Sequence, residues 1–536
     1  MSSLPQDDAV AMVQSDYIVD PGPPAPPLRL PPVKEVLSSY TLLTRIFSNI
    51  IPLDDRDANR AVIVAGRKRL LAIARNIADI QADQLGPSFF KYAERVQTLE
   101  ISERMAIVRK DAPIDPNIYL LLSQQLGGTP LLPRLESIVL SLPTSPSSTT
   151  LPLPVLLPCS SLHAVEVQGP ILETKWCHKV FLPALASRAS SSLKRLGLKH
   201  DKTQIRLVGL WDTLLKLSGL EALSLCLPQS PDSDLPSGSL WLLLTRLTRL
   251  SSLSLNLEIN HTDSALGRLT ELPSSGPLGT SQYVSSLQHL SLLENVGSWL
   301  GGCHASRLLV PVVVRSLASV TLTSNQSDPW ERLAYVGDAL RECTDLRRVI
   351  LQSTEPGTNI STFAILEFLE RVQPDEFVVN IDKLDNRAGS AFFGRLLDRL
   401  GVGAVQSGKP VADSPQRLVH SLLLPPSWTG HQLNLKSLTQ ISQKAPTLRR
   451  IGIPIASNLH PTTLQHITEL VSSGPLGPES SNLLHLELCD TRDPESSGRI
   501  SPHQYQIIAQ YIDKLFPRAS ASHTQGDEIV VIQARS

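Results

Sequence analysis

Charge and aromatic surface are both scarce in this chain of 536 residues: charged residues make up 18% and aromatic residues 4%. An interior with so few aromatic side chains has to be built from aliphatic ones. The charges nearly cancel, 49 Lys and Arg against 50 Asp and Glu, so no electrostatic excess favours nucleic acid as a partner. Six cysteines are scattered without a C-x-x-C pair, which reads as free thiols of a reducing compartment. The neighbours Cys177-His178 and Cys303-His304 are badly spaced to chelate one zinc. The longest apolar stretches, such as Leu308 to Val314, are far too short to span a bilayer. Residues 1–28 hold no Lys or Arg and include the run Pro21-Gly22-Pro23-Pro24-Ala25-Pro26-Pro27; the basic start and apolar segment of a secretory signal are both missing. The expectation is a soluble, intracellular protein, cytoplasmic or nuclear, with neither membrane nor nucleic acid as partner, and with no metal or cofactor.

What the chain has in quantity is leucine at fixed spacing. Twelve segments read L-x-x-L-x-L, with Val or Ile allowed at the L positions. They begin at Val96, Leu135, Leu162, Leu193, Leu220, Leu250, Leu287, Leu317, Leu346, Val419, Leu448 and Leu483. A weaker candidate is Glu376-x-x-Val379-x-Ile381. Most starts fall between 27 residues apart, as from Leu135 to Leu162, and 39, as from Val96 to Leu135. Self-similarity at that period marks a solenoid, and the motif is that of leucine-rich repeats. Alternate strand side chains share a face, so Leu223 and Leu225 point to a core and Ser224 away from it. One unit cannot bury its apolar face alone; neighbours must stack. The usual Asn or Cys eight residues after the first Leu occurs only as Asn295 and Asn325, whereas Pro143, Pro170 and Pro228 occupy that place elsewhere. The loops must therefore be held in some other way. The segment Thr270 to Gly279 returns with one change as Thr468 to Gly477, each copy reading as a helix end, a capping Gly and a Pro stop before a strand.

The chain divides accordingly. Residues 1–28 form a disordered Pro-rich arm. Residues 29–80 form a small helical unit, in which Leu43, Ile46, Phe47 and Ile50 share one helix face. Residues 89–501 carry an irregular leucine-rich-repeat solenoid of α/β class. Residues 502–536 close it, with a helix over 502–517 and a strand from Glu528 to Gln533.

Residues 32–64, from Pro32-Val33-Lys34-Glu35-Val36-Leu37 through Ile50-Ile51-Pro52-Leu53-Asp54-Asp55, resemble a divergent F-box. Phe89-Phe90-Lys91-Tyr92 onward and Ile508-Ala509-Gln510-Tyr511-Ile512 onward are similar to the junction and tail of fungal (basidiomycete-type) F-box leucine-rich-repeat proteins. That resemblance implies a substrate receptor of an SCF-type ubiquitin ligase. The F-box unit would dock on a Skp1-type adaptor of a cullin-RING ligase, and the repeats would hold an unknown protein substrate. Carried onto matching positions, the docking face comprises Leu30, Pro31, Leu43, Ile46, Phe47, Ile50 and Leu53, with Val62 and Val64. Ala65 and Lys68 stand where the family usually has Cys and Trp. The alternative is a leucine-rich-repeat interaction scaffold without ligase docking, in which the helical unit only caps the solenoid.

No catalytic constellation is selected. Gly403 to Pro410 nearly matches a P-loop, but Pro410 stands where a hydroxyl would ligate magnesium. The expectation is a non-enzyme whose binding positions are the outward residues of the strands, the concave face of a leucine-rich horseshoe. Early repeats place Glu100, Glu136, Glu166 and Glu221 there, interrupted by Lys194 and Arg195. Later ones place Arg347-Arg348 and Arg449-Arg450, four guanidinium groups suited to an acidic or phosphorylated ligand.

Overall fold

The computed structural model describes residues 94–102, 130, 132–141, 160–200, 208–227, 239–256, 286–294, 316–324, 330, 333–341, 343–385, 392–401, 419–429, 433–456, 461–473, 481–491, 501–525 and 528–532. The Pro-rich arm, the helical unit 29–80 with all nine adaptor-docking residues, the P-loop-like segment 403–410 and the positions Asn295 and Asn325 lie outside the described residues.

One long sheet organises the molecule. Its strands are β1 (Thr98–Ser102), β2 (Ser137–Ser141), β3 (Ala164–Gln168), β4 (Arg195–Lys199), β5 (Ala222–Cys226), β6 (Ser252–Asn256), β7 (His289–Glu294), β8 (Ser319–Ser324) and β9 (Arg348–Ser353). A second, three-stranded sheet consists of β10 (Asn359–Ser361), β12 (Lys383–Asp385) and β14 (Ser427–Thr429). Alternating with it, the long sheet continues through β11 (Glu376–Asn380), β13 (Ser421–Leu423), β15 (Arg450–Ile455), β16 (His485–Asp490), β17 (Ser520–Gln525) and β18 (Glu528–Ile532). Each strand of the long sheet pairs in parallel with the next, except that β18 turns back antiparallel on β17. All twelve L-x-x-L-x-L segments lead into a strand of this sheet.

The reason is burial in register. The inward positions Leu223, Leu253, Leu290, Val320 and Val349 follow one another across β5 to β9 and are at most 2% exposed. Each such side chain stabilises by roughly 1.5–3 kcal/mol once enclosed. They join one core with helices α1 (Leu182–Ala189), α2 (Val208–Leu214), α3 (Ser239–Arg246), α4 (Leu333–Leu340), α5 (Thr362–Arg371), α6 (Phe392–Gly401), α7 (Ser437–Lys444), α8 (Pro461–Ser472) and α9 (Pro502–Leu515). Before most strands of the long sheet two successive N–H groups converge on one carbonyl of the preceding repeat. Arg347 and Arg348 both donate to Ala318 at 2.8 and 3.0 Å, and Leu484 and His485 to Arg449 at 2.7 and 3.0 Å. This local bulge turns the first Leu inward while leaving the next residue at the sheet margin.

Two positions differ from the sequence expectation. In β11 the inward residues are Phe377 and Val379, aligned with Val349 and Leu351, so the motif starts at Pro374, two residues before the Glu376 start expected. Pro374, not an aliphatic side chain, fills the first position and is buried. A strand at β17 was not expected, because its inward residues are Ala521 and His523 rather than leucines. The closing helix and the strand from Glu528 are present as expected.

Among the described residues, two loops show what holds them. Pro170 opens a 3-10 turn, Pro170–Glu173, after Gly169 at φ 80. Glu173 then meets His200 Nε2 at 2.7 Å. After β9, Ser353 Oγ donates to Thr358 Oγ1 at 2.7 Å, and the Gly357 N–H donates to the Asp382 carboxylate of the following repeat. Helices of successive repeats are laced by Arg371–Asp338 at 2.7 Å, Arg399–Glu370 at 2.9 Å and Lys444–Asp398 at 2.7 Å. The terminal helix α9 carries a capping box between Ser501 and Gln504. It is fastened by the Tyr511 hydroxyl, 3.0 Å from the Leu435 carbonyl and 2.8 Å from Thr439 Oγ1.

Candidate binding face

The helices cover one face of the long sheet, and the other displays residues at every second strand position. Register arranges these outward residues in tiers that run across the repeats. At the margin, just before each strand, stand Lys194, Glu221, Ser251, Gln288, Ala318, Arg347, Asp375, His420, Arg449 and Leu484. The first tier within the strands includes Arg195, Ser252, Ser319, Arg348, Glu376, Ser421 and Arg450.

The middle tier changes character along its length. Glu166 and Gly197 are followed by Ser224, Ser254, Ser291 and Thr321, an unbroken hydroxyl row across β5 to β8. At β9 it turns apolar: Ile350, Val378 and Leu423 lie side by side on β9, β11 and β13, each part exposed, and Gly452 follows on β15. A Cβ at Gly452 would lie 2.8 Å from Leu423 Cδ2; the glycine leaves room for Leu423 to lean across β15. The apolar row has a signal in the sequence. Val349-Ile350-Leu351, Phe377-Val378-Val379 and Leu422-Leu423-Leu424 are uninterrupted apolar runs, where repeats with a polar outward face alternate.

Charge on this face is mostly satisfied between neighbouring repeats. Lys199 Nζ lies 2.6 Å from Glu166 Oε1, which also accepts from Gln168 Nε2 at 2.8 Å. Partial burial works to raise the Glu166 carboxyl, but the hydrogen bonds from Lys199 and Gln168 and the lysine charge outweigh it, so its pKa is lowered. Lys194 pairs with Glu221 at 3.1 Å. Among the later arginines, Arg348 Nε holds Glu376 at 3.0 Å and Arg450 Nη2 holds Glu487 at 2.7 Å. Arg347 and Arg449 are exposed at the margin, and among the described residues no carboxylate is paired with either. The four arginines thus occupy one region but in two situations: two brace neighbouring repeats, and two are uncommitted.

No disulfide links the described cysteines. Cys177 is enclosed in a π-helical turn, Cys177–Phe181, and burial pushes its pKa up to about 12. Cys343 donates to the Leu317 carbonyl at 3.1 Å, and Cys226 accepts from Asn256 at 3.3 Å. One carboxylate–imidazole–phenol cluster does form: His523 Nε2 is 3.6 Å from Asp490 Oδ2 and its Nδ1 is 3.2 Å from the Tyr505 hydroxyl. His523 is 1% exposed and the Asp490 side chain 0%, so the imidazole and the carboxylate are enclosed, and the cluster packs β16, β17 and α9 together. No group of His, Cys, Asp and Glu able to hold a metal ion occurs among the described residues. Among them, too, no helix is long and apolar enough to cross a membrane.

No family model and no curated protein matches the chain. Among solved structures, the chain in a crystal structure of a TLR13-ssRNA13 complex is similar at 12% identity and a TM-score of 0.36. The match covers 80% of this chain and 50% of that one, so this chain spans about half the length of that neighbour. At that identity and score the likeness carries no argument about function. The repeat architecture rests on the leucine register and the parallel sheet described above.

Proposed function

We propose that this chain is a non-catalytic, protein-binding adaptor whose repeats hold a partner on the open face of the long sheet. The observation that carries this reading is the middle tier, where part-exposed Ile350, Val378 and Leu423 replace the polar residues that occupy the same tier in β5 to β8. Apolar side chains on an otherwise polar open face gain by being covered, and the rigid sheet presents them preformed. Such a protein acts by positioning: a bound partner is held at raised effective concentration near whatever else the chain engages.

The resemblance of residues 32–64 to an F-box supplies the second half of the proposal. The helical unit would dock on a Skp1-type adaptor through Leu30, Pro31, Leu43, Ile46, Phe47, Ile50, Leu53, Val62 and Val64. The protein would then be a substrate receptor of an SCF-type ubiquitin ligase working in the cytoplasm or nucleus. The experiment is Skp1 binding by the full chain and by a Leu43→Asp, Phe47→Asp variant. Binding by the first and loss in the second support ligase docking. No binding by the full chain leaves the scaffold reading, which keeps the open face and discards the adaptor.

A further inference from the structure

We infer that the open face of β9, β11, β13 and β15 is built for an extended acidic peptide segment with one aliphatic side chain between two carboxylates. The inference rests on the protein-binding reading above and names the partner's chemistry. Two uncommitted guanidinium groups mark the ends of the site. Arg347 stands at the margin of β9 and Arg449 at the margin of β15, both exposed and neither paired with a carboxylate among the described residues. Three strand spacings separate them, about 14 Å at roughly 4.8 Å each. An extended chain covers that distance in about four residues. Acidic residues at the first and fifth places of such a segment would therefore each meet a guanidinium fork.

The middle of the site is different in kind. Asp375 lies at the margin between the two arginines and repels a third acidic residue there. Glu376 on β11 and Glu487 on β16 are held by Arg348 and Arg450. Four guanidinium groups thus face three carboxylates, with His420 beside them. The next outward tier on β9, β11 and β13 is the aliphatic row Ile350, Val378 and Leu423. On β13 the tier that intervenes holds only the short side chain of Ser421, so an aliphatic residue at the centre of the segment reaches Leu423 past it. Charge complementarity at both ends and an apolar seat between them select one order of side chains: acidic, any, aliphatic, any, acidic.

The test pans a phage-displayed random peptide library against the full-length protein, then measures winning sequences as synthetic peptides. The expected winners carry two acidic positions about four residues apart around a Leu, Ile or Val. Arg347→Glu with Arg449→Glu should weaken them at least tenfold, about 1.4 kcal/mol. Leu423→Ser should abolish the aliphatic preference while the acidic one persists. Circular dichroism of each variant checks that it folds. Winners without acidic residues, or winners indifferent to the double charge reversal, would each overturn the inference. A control pair, Ser254→Arg and Ser291→Arg, obstructs the open face elsewhere. If it blocks binding and the arginine reversal does not, the protein-binding reading stands and this inference falls; if neither matters, both fall.

Discussion

Leu290→Ala is the most direct probe of how this array holds together. Leu290 is the inward residue of β7, 2% exposed, with Leu253 and Val320 beside it in register on β6 and β8. The substitution removes three carbons, about 2.4 kcal/mol at roughly 0.8 kcal/mol per methylene. A cavity between two stacked repeats that cannot collapse onto each other adds about 1 kcal/mol or more, so the total falls near 3–4 kcal/mol. Because each repeat contacts mainly its neighbours, the damage should be local. Native-state amide exchange is the assay: protection should fall in β6, β7 and β8 and persist in β15, β16 and β17. Ser291→Ala, one residue on but outward, is the control and should change stability by less than about 0.5 kcal/mol. Unchanged exchange in Leu290→Ala, or an equal loss in Ser291→Ala, would refute the inward–outward assignment for the whole sheet.

Two further predictions follow from particular geometry. A Cβ at Gly219 would lie 2.5 Å from the Ser191 carbonyl oxygen, whereas nothing lies within 4 Å of one at Gly394 in α6; Gly219→Ala should destabilise by about 1–3 kcal/mol and Gly394→Ala should stabilise by up to about 1 kcal/mol, both read by denaturant titration. The lowered pKa of Glu166 means that its bonds to Lys199 and Gln168 stabilise the fold fully above its ordinary value of 4.5 and are lost as pH falls through the lower folded-state value. Glu166→Gln should therefore remove stability at neutral pH and flatten the acid limb of the stability profile below 4.5; an acid limb identical to the parent's would contradict the assignment.

The strand positions were legible in the sequence wherever an inward position held Leu, Val or Ile, because burial selects residue type directly. They were misplaced at β11, where Pro374 takes the first position of the motif, and missed at β17, where Ala521 and His523 face inward. The small sheet of β10, β12 and β14 was not anticipated; its strands are three residues long and carry no period. At the candidate face the four arginines were legible as residues but not as two kinds. That Arg348 is spent on Glu376 and Arg450 on Glu487 depends on which strands lie side by side, a matter of register between segments 28 and 37 residues apart in the chain. The aliphatic row was overlooked for the opposite reason: apolar residues in a leucine repeat are assigned to the core unless the alternation is followed residue by residue.

The paired N–H groups that open most strands of the long sheet lend the array a direction in time. Arg347 and Arg348 lean on the carbonyl of Ala318, Leu484 and His485 on that of Arg449, and at each of these junctions the later repeat supplies the donors while the earlier one supplies the acceptor. A ribosome delivers the chain in that same order, and domains made early fold early. Each repeat as it emerges finds its acceptor already fixed on a finished neighbour, so the growing edge acts as a template for the strand that follows.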